Sequence, residues 1–366
     1  MENKVRKGLE GVVAAETAIS YIDGEQGELI YRGHHAKELA INEGFESACY
    51  LLWYGDLPDK NKLDKIKQEF RNGRQLPDYV KKIIQLLPLE TSMMSVIRTC
   101  VSAMGDKERA WPPSVTEAIH LTAVIPVMIA MRQRVLEGKD MIAPHPTLDH
   151  VANYLYMLTG NEPSKAHVKA LDAYFVLTME HGMNASTFTS RVVTSSQSDM
   201  VSAVTGAIGT MKGPLHGGAP TEVTSMLESV GMKENAEKWL RQRLENGEKL
   251  MGFGHRIYKT KDPRAEALKE VTRDLTAEDT WLDLAAHVEE TAIRLLEEYK
   301  PGRKLYTNVE FYAAAVLRAV SMPNSLFTPT FTAARVAGWT AHVIEQANDN
   351  RIYRPQSLYT GDKPVS

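Results

Sequence analysis

The chain has 366 residues, 43% of them hydrophobic, and a formal net charge of −3. That length supports a large buried core and leads us to expect two domains, while the charge gives no global case for nucleic-acid binding. Any anionic ligand must therefore be held by local arginines and lysines, and the two cysteines, Cys49 and Cys100, fit a reducing cytosol better than a disulfide framework or a metal site.

Residues 1–6 carry no apolar signal core. The most apolar run, Ala118 to Met131, is shorter than the about 20 residues a bilayer span requires, so it is expected as a buried core helix. A cytoplasmic protein with no membrane partner follows. Residues 8–33 form the one β-like region. Val12-Val13-Ala14-Ala15 and residues 17–22 read as strands, Asp23-Gly24-Glu25-Gln26-Gly27 as a turn, and residues 28–32 as the returning strand.

From about residue 36 a helical period takes over. Phe45, Ala48, Cys49, Leu51, Leu52 and Trp53 give an apolar face ending near Gly55, and residues 60–72 read as an amphipathic helix. Further helices are expected over 77–87, 91–104 and 114–137, then over about 148–159 and 164–181 between prolines. No phosphate-binding glycine loop and no internal repeat is found. The expected class is all-α: a large multi-helix domain, a smaller helical domain, and short N-terminal antiparallel strands.

Three histidines stand out along this pattern. A helix over 164–181 puts Tyr174, Leu177 and His181 on one face, so His181 should end a buried stripe, as a core residue or as a hydrogen-bonding site group. The small residues 203–209 should let neighbouring backbones approach, and they lead to Gly213-Pro214-Leu215-His216-Gly217-Gly218, with Pro220 starting the next helix. Residues 222–300 are more charged and end at Pro301-Gly302. Within them, Met251-Gly252-Phe253-Gly254-His255 precedes Arg256, Lys259 and Arg264, with Asp262 as N-cap and Pro263 as first helical residue. A histidine on a basic loop suits an anionic substrate that needs a proton donor. Each such stretch alone also reads as a turn with a solvated or capping histidine; the repeated glycine–histidine–helix pattern weighs against that. Glu310 opens an apolar helix beside Val309, Phe311 and Tyr312, where burial would raise its pKa. Arg335, inside the apolar helix 331–339, must meet an anion or snorkel.

Together, Gly213–Gly218, Gly252-Phe253-Gly254-His255-Arg256 with Asp262-Pro263-Arg264, Asn308-Val309-Glu310-Phe311-Tyr312 and Arg335-Val336-Ala337-Gly338-Trp339 resemble the citrate synthase family, in its compact dimeric form. The resemblance runs from Gly11-Val12-Val13 to Arg354-Pro355. It implies a transferase of the tricarboxylic acid cycle, a homodimer that condenses acetyl-CoA with oxaloacetate and hydrolyses citryl-CoA without metal or redox cofactor. It maps the carboxylate base to Glu310, the donor to the thioester oxygen to His216, and the donor to the ketone to His255. Arg264, Arg335 and Arg354, with His181, would hold the oxaloacetate carboxylates. Lys259, Arg303 and Lys304 are the candidates for coenzyme A. Residues 1–216 and 319–366 would form the large domain, and 217–318 a small domain closing over the site. The family pattern has aspartate where this chain has Glu310. A working enzyme with a shifted backbone, a slow enzyme and a ligand-binding sensor without turnover all stay open. So does 2-methylcitrate synthase acting on propionyl-CoA, because the same residues serve both.

Overall fold

Most of the chain meets the helical period found in its sequence. The computed structural model describes residues 5–105, 111–217, 219–255, 257–273 and 279–363, with the side chains of 219–221 left out. Arg256 and Gly218 lie outside the described residues. A small antiparallel sheet comes first: β1 (Ser20–Asp23), β2 (Glu28–Tyr31) and β3 (His34–His35), paired Ser20 to Tyr31 and Ile30 to His35. There follow α1 (Ala36–Asn42), α2 (Phe45–Tyr54), α3 (Lys60–Gly73), α4 (Asp78–Leu86), α5 (Met93–Ser102), α6 (Val115–Leu136), α7 (His150–Thr159), α8 (Lys165–Thr178), α9 (Ala185–Ser195) and α10 (Met200–Met211). The remainder holds α11 (Pro214–Gly217), α12 (Ala219–Val230), α13 (Lys233–Glu245), α14 (Pro263–Val271), α15 (Thr280–Tyr299), α16 (Val309–Ala319) and α17 (Phe327–Asn348).

Local chemistry explains the boundaries. Ser114 and Glu117 form a reciprocal capping box at the start of α6, and the side chains of Asp59, Ser164, Asn184, Asp199 and Asp262 each cap a helix. Residues 118–132 of α6 are buried except for the partly exposed His120, so this helix, long and apolar enough to cross a membrane, is a core element here. α17 packs against α6, α8, α9 and α2. α10 lies close on α9, where a Cβ at Gly206 would stand 3.3 Å from Thr189 Cγ2, as the run of small residues led us to expect.

Two expectations are corrected. Val12-Val13-Ala14-Ala15 forms no strand; β1 and β2 pair only with each other and with β3, leaving this segment no ladder partner, and Val13 is 88% exposed. α8 ends at Thr178, so His181 lies beyond the helix, in a turn where Gly182 has φ +61°. The helical-face argument for His181 therefore fails, although its neighbour Glu180 is fully buried.

α14, α15 and α16 are tied by Glu289, 3% exposed, on α15. It accepts hydrogen bonds from Thr307 Oγ1 (2.7 Å), Tyr312 OH (2.6 Å) and Lys269 Nζ (2.7 Å). Glu289→Ala leaves two buried hydroxyls without an acceptor and is expected to cost about 2–5 kcal/mol. A lowered urea midpoint would register that loss.

Candidate active site

The loop 251–254 reaches the start of α16 through a short antiparallel contact. Gly254 N donates to Tyr306 O (2.7 Å), Asn308 N to Gly252 O (2.9 Å), and Asn308 Nδ2 to Gly254 O (2.9 Å). Gly252 adopts φ +85°, and a Cβ there would stand 2.8 Å from Phe311 Cδ2, so glycine is needed on both counts. This pairing brings the His255 loop against the helix that carries Glu310.

His255 is fixed by its own backbone. Its Nδ1 accepts from Ile257 N (3.0 Å) and Tyr258 N (3.1 Å). Burial, then the Arg264 charge, lowers its pKa to about 4, so the ring is neutral at pH 7 with its one proton on Nε2. That Nε2 lies 3.3 Å from Arg264 Nη2. Both atoms are then donors, so the contact is not a hydrogen bond between them. It is a pair of donors converging on a point that calls for an oxygen acceptor.

Arg264, 5% exposed, is held by Asp262, 1% exposed. Asp262 Oδ1 accepts from Arg264 N and Nε (both 3.0 Å), and Oδ2 accepts from Arg264 Nη2 (2.9 Å) and Val309 N (3.0 Å). One carboxylate thus caps α14, orients the arginine and grips the first residue of α16. Burial opposes its charge, but Arg264 outweighs burial and the Asp262 pKa is lowered.

Tyr258 and His181 extend the cluster. The Tyr258 hydroxyl lies 3.2 Å from His181 Nε2, its ring is 4.8 Å from that of His255, and the Arg264 guanidinium lies 5.5 Å above it. Burial, with Arg264 and Arg335 nearby, lowers the His181 pKa well below its ordinary value. Arg335, 2% exposed on α17, donates Nε–H to Thr178 O (2.7 Å) and lies over the Phe331 ring. Among the described residues it forms no ion pair, and its Nη groups make no hydrogen bond. One turn on, Trp339 Nε1 donates to Ser186 Oγ (3.0 Å), which lies 2.7 Å from His216 Nε2 and 2.8 Å from Asn184 Oδ1. Burial and the Arg335 charge lower the His216 pKa to about 4. The Arg335 charge lowers the pKa of both His181 and His216.

Glu310, in the first turn of α16, has its pKa raised, chiefly by burial and against the lowering effect of Arg264. It lines a pocket of about 410 Å³ together with Lys249, Phe253, Lys300, Arg303 and Asn308. Of the three basic candidates for coenzyme A, Arg303 lines this pocket; Lys259 and Lys304 are exposed and do not line it. Lys249 and Lys300 were not singled out from sequence. Arg354 stands apart, exposed on the C-terminal tail. Tyr258, Ser186 and Trp339 also escaped the sequence reading as site residues, and Asp262 was seen only as a cap. Trp339 and Asp262 lay within the quoted motifs, which was the available signal; Tyr258 and Ser186 lay outside them.

Residues 8–356 match the family model described as citrate synthase, C-terminal domain. The citrate synthase of Synechocystis sp. is 39% identical, over all of this chain and 93% of that protein. A 2-methylcitrate synthase of Corynebacterium glutamicum is 38% identical over 98% of this chain and 95% of its own length. Among solved structures, the ternary complex of carboxymethyl coenzyme A and oxaloacetate with the Thermoplasma acidophilum citrate synthase superposes with a TM-score of 0.88, at 29% identity, over 99% of this chain and 98% of that one.

The lowered histidine pKa values give an activity-independent check. Proton NMR of the His216 and His255 imidazoles, assigned by single substitution, should show no protonation from pH 8 down to about 5, because both titrate near 4.

Proposed function

The chain belongs to the citrate synthase family, and on that premise we propose that it condenses acetyl-CoA with oxaloacetate and hydrolyses the resulting citryl-CoA to citrate and CoA. The observation that carries this reading is the convergence of His255 Nε2 and Arg264 Nη2 beside the unpaired, buried Arg335. A ketone flanked by carboxylates supplies acceptors for all three. The 2-oxo oxygen takes the His255 proton, and the carboxylates take Arg264, Arg335 and His181.

Glu310 is the base in this scheme. It removes a proton from the thioester methyl, while His216 donates to the oxygen that becomes the enol. In that role His216 carries its proton on Nδ1, and the Ser186 hydroxyl turns its proton from Asn184 Oδ1 to His216 Nε2. The enol carbon then bonds to the ketone carbon as the enol O–H proton returns to His216 and the ketone oxygen receives the His255 proton. The proton held by Glu310 restores His255, and water cleaves the thioester to carboxylate, CoA thiol and a proton released to solvent. We assign the coenzyme to the pocket beside Glu310, with Lys249, Lys300 and Arg303 offering charge to its phosphates. Residues 217–318 act as the smaller lobe that closes over the substrates. Arg354, exposed in one subunit, is assigned to the site of its neighbour in a homodimer. The scheme invokes no metal or redox cofactor. Among the described residues no three or more His, Cys, Asp or Glu side chains are grouped to hold an ion. The cytoplasm is the compartment that suits these substrates and the two buried free thiols.

A relative named 2-methylcitrate synthase keeps propionyl-CoA as the second reading, since one methylene is worth only about 1–3 kcal/mol of discrimination. Release of CoA from acetyl-CoA and from propionyl-CoA, each with oxaloacetate, is the test. Faster turnover of acetyl-CoA is expected; faster turnover of propionyl-CoA would reverse the assignment. Glu310→Gln should lower turnover by about 100-fold or more. The base acts when ionised and its pKa is raised from 4.5, so activity should fall with acid through a single ionisation above that value. The residual rate of Glu310→Gln should lack that limb.

A further inference from the structure

The hairpin formed by β1 and β2 is left without a role by the scheme above, yet it touches both histidine-bearing segments. At its strand end, Tyr31 OH donates to Glu180 O (2.9 Å) and Ser20 Oγ donates to Glu180 Oε1 (2.8 Å). Glu180 Oε1 in turn accepts from Gly182 N (2.6 Å), which fixes the turn that carries His181. At the hairpin's tip, Gly24 O accepts from Lys259 N (2.7 Å). The tip is stiff: Asp23 Oδ1 accepts from Glu25 N and Gln26 N (both 2.9 Å), and Gly27 N donates to Asp23 O (2.9 Å).

The tip and the loop approach to the limit that glycine permits. A Cβ on Gly24 would stand 2.2 Å from the Ile257 carbonyl oxygen, and one on Gly27 would stand 2.8 Å from the Lys261 carbonyl oxygen. Gly24 does not have a left-handed φ, so its backbone suits any residue and only the close approach excludes a side chain. Ile257 is therefore seated on the hairpin by its carbonyl while its N–H holds His255 Nδ1. The next residue, Tyr258, gives its N–H to the same Nδ1 and sets its hydroxyl against His181.

We propose that the Asp23–Gly27 turn is a seat for the 257–261 loop and that Gly24 is a positioning residue for His255. The hairpin acts as a spacer that sets the His255 loop relative to the His181 turn. This rests on the reading that both histidines face the 2-oxo acid. A methyl group at Gly24 must push the Ile257 backbone away, and a misplacement of about 1 Å at reacting groups can cost on the order of 100-fold.

The test uses the full chain. Gly24→Ala should lower kcat/KM for oxaloacetate by about tenfold or more, while KM for the CoA thioester stays within about twofold. In the same variant, without substrates, amide hydrogen exchange over 257–261 should quicken by about tenfold and the rest of the chain should match the parent. Asp23→Ala, which loosens the turn without inserting an atom, should act in the same direction and serves if Gly24→Ala fails to fold. Glu25→Ala, at an exposed position of the same turn, should leave both readouts unchanged. If the parent does not act on oxaloacetate, the activity reading falls, and the exchange measurement still decides whether the turn seats the loop. Loop exchange and oxaloacetate kinetics both at parent values would overturn the proposal. So would a parallel rise of both KM values with a lowered unfolding midpoint, which marks general destabilisation.

Discussion

The Asp262 carboxylate is the junction on which the site depends. Four donors meet its two oxygens, three from Arg264 and one from Val309 N. A buried charge is costly unless it is paired and its lone pairs are used, and here both conditions hold. Because one of the donors opens α16, orienting Arg264 and placing Glu310 are a single event. The Gly252–Asn308 pairing brings the two segments together, and Asp262 fixes them.

Around this junction, burial sets the protonation states that carbon-acid chemistry needs. His216 and His255 are held neutral at pH 7, each with one ring N–H to donate. Glu310 is pushed the other way, towards a more basic carboxylate. The same loss of water that lowers the imidazoles raises the acid, the separation that the proposed donors and base require. Arg335 completes the logic. It is buried on an apolar helix and spends its Nε on Thr178 O, while among the described residues its Nη groups make no hydrogen bond.

What was legible in the sequence follows from how local the signal is. Helices α2, α3, α6 and α17 were evident because their apolar pattern lies within the segment itself, reinforced at α3 and α6 by side-chain caps. His255, Arg264 and Glu310 were marked by glycine loops and a helix start. Partnership across the chain was not legible. Ser186 meets Trp339, Glu180 meets Ser20, and Tyr258 meets His181, all far apart in sequence. The strand expected at 12–15 failed for a similar reason, since a β-like composition forms a ladder only when a partner edge is free. The helical-face reading of His181 failed, because its turn is shaped by Glu180 and Gly182 and not by a helix.

The proposed function needs a preformed cluster of donors for a 2-oxo dicarboxylate, organised by Asp262 and distinct from Glu310, the proposed base. Calorimetric titration of oxaloacetate alone into the parent and into Asp262→Asn measures this most directly. The account predicts saturable binding by the parent and a loss of about 30-fold or more in Asp262→Asn, because the variant leaves a buried arginine charge unpaired. Equal affinity in the two proteins, or no binding by the parent, would contradict it.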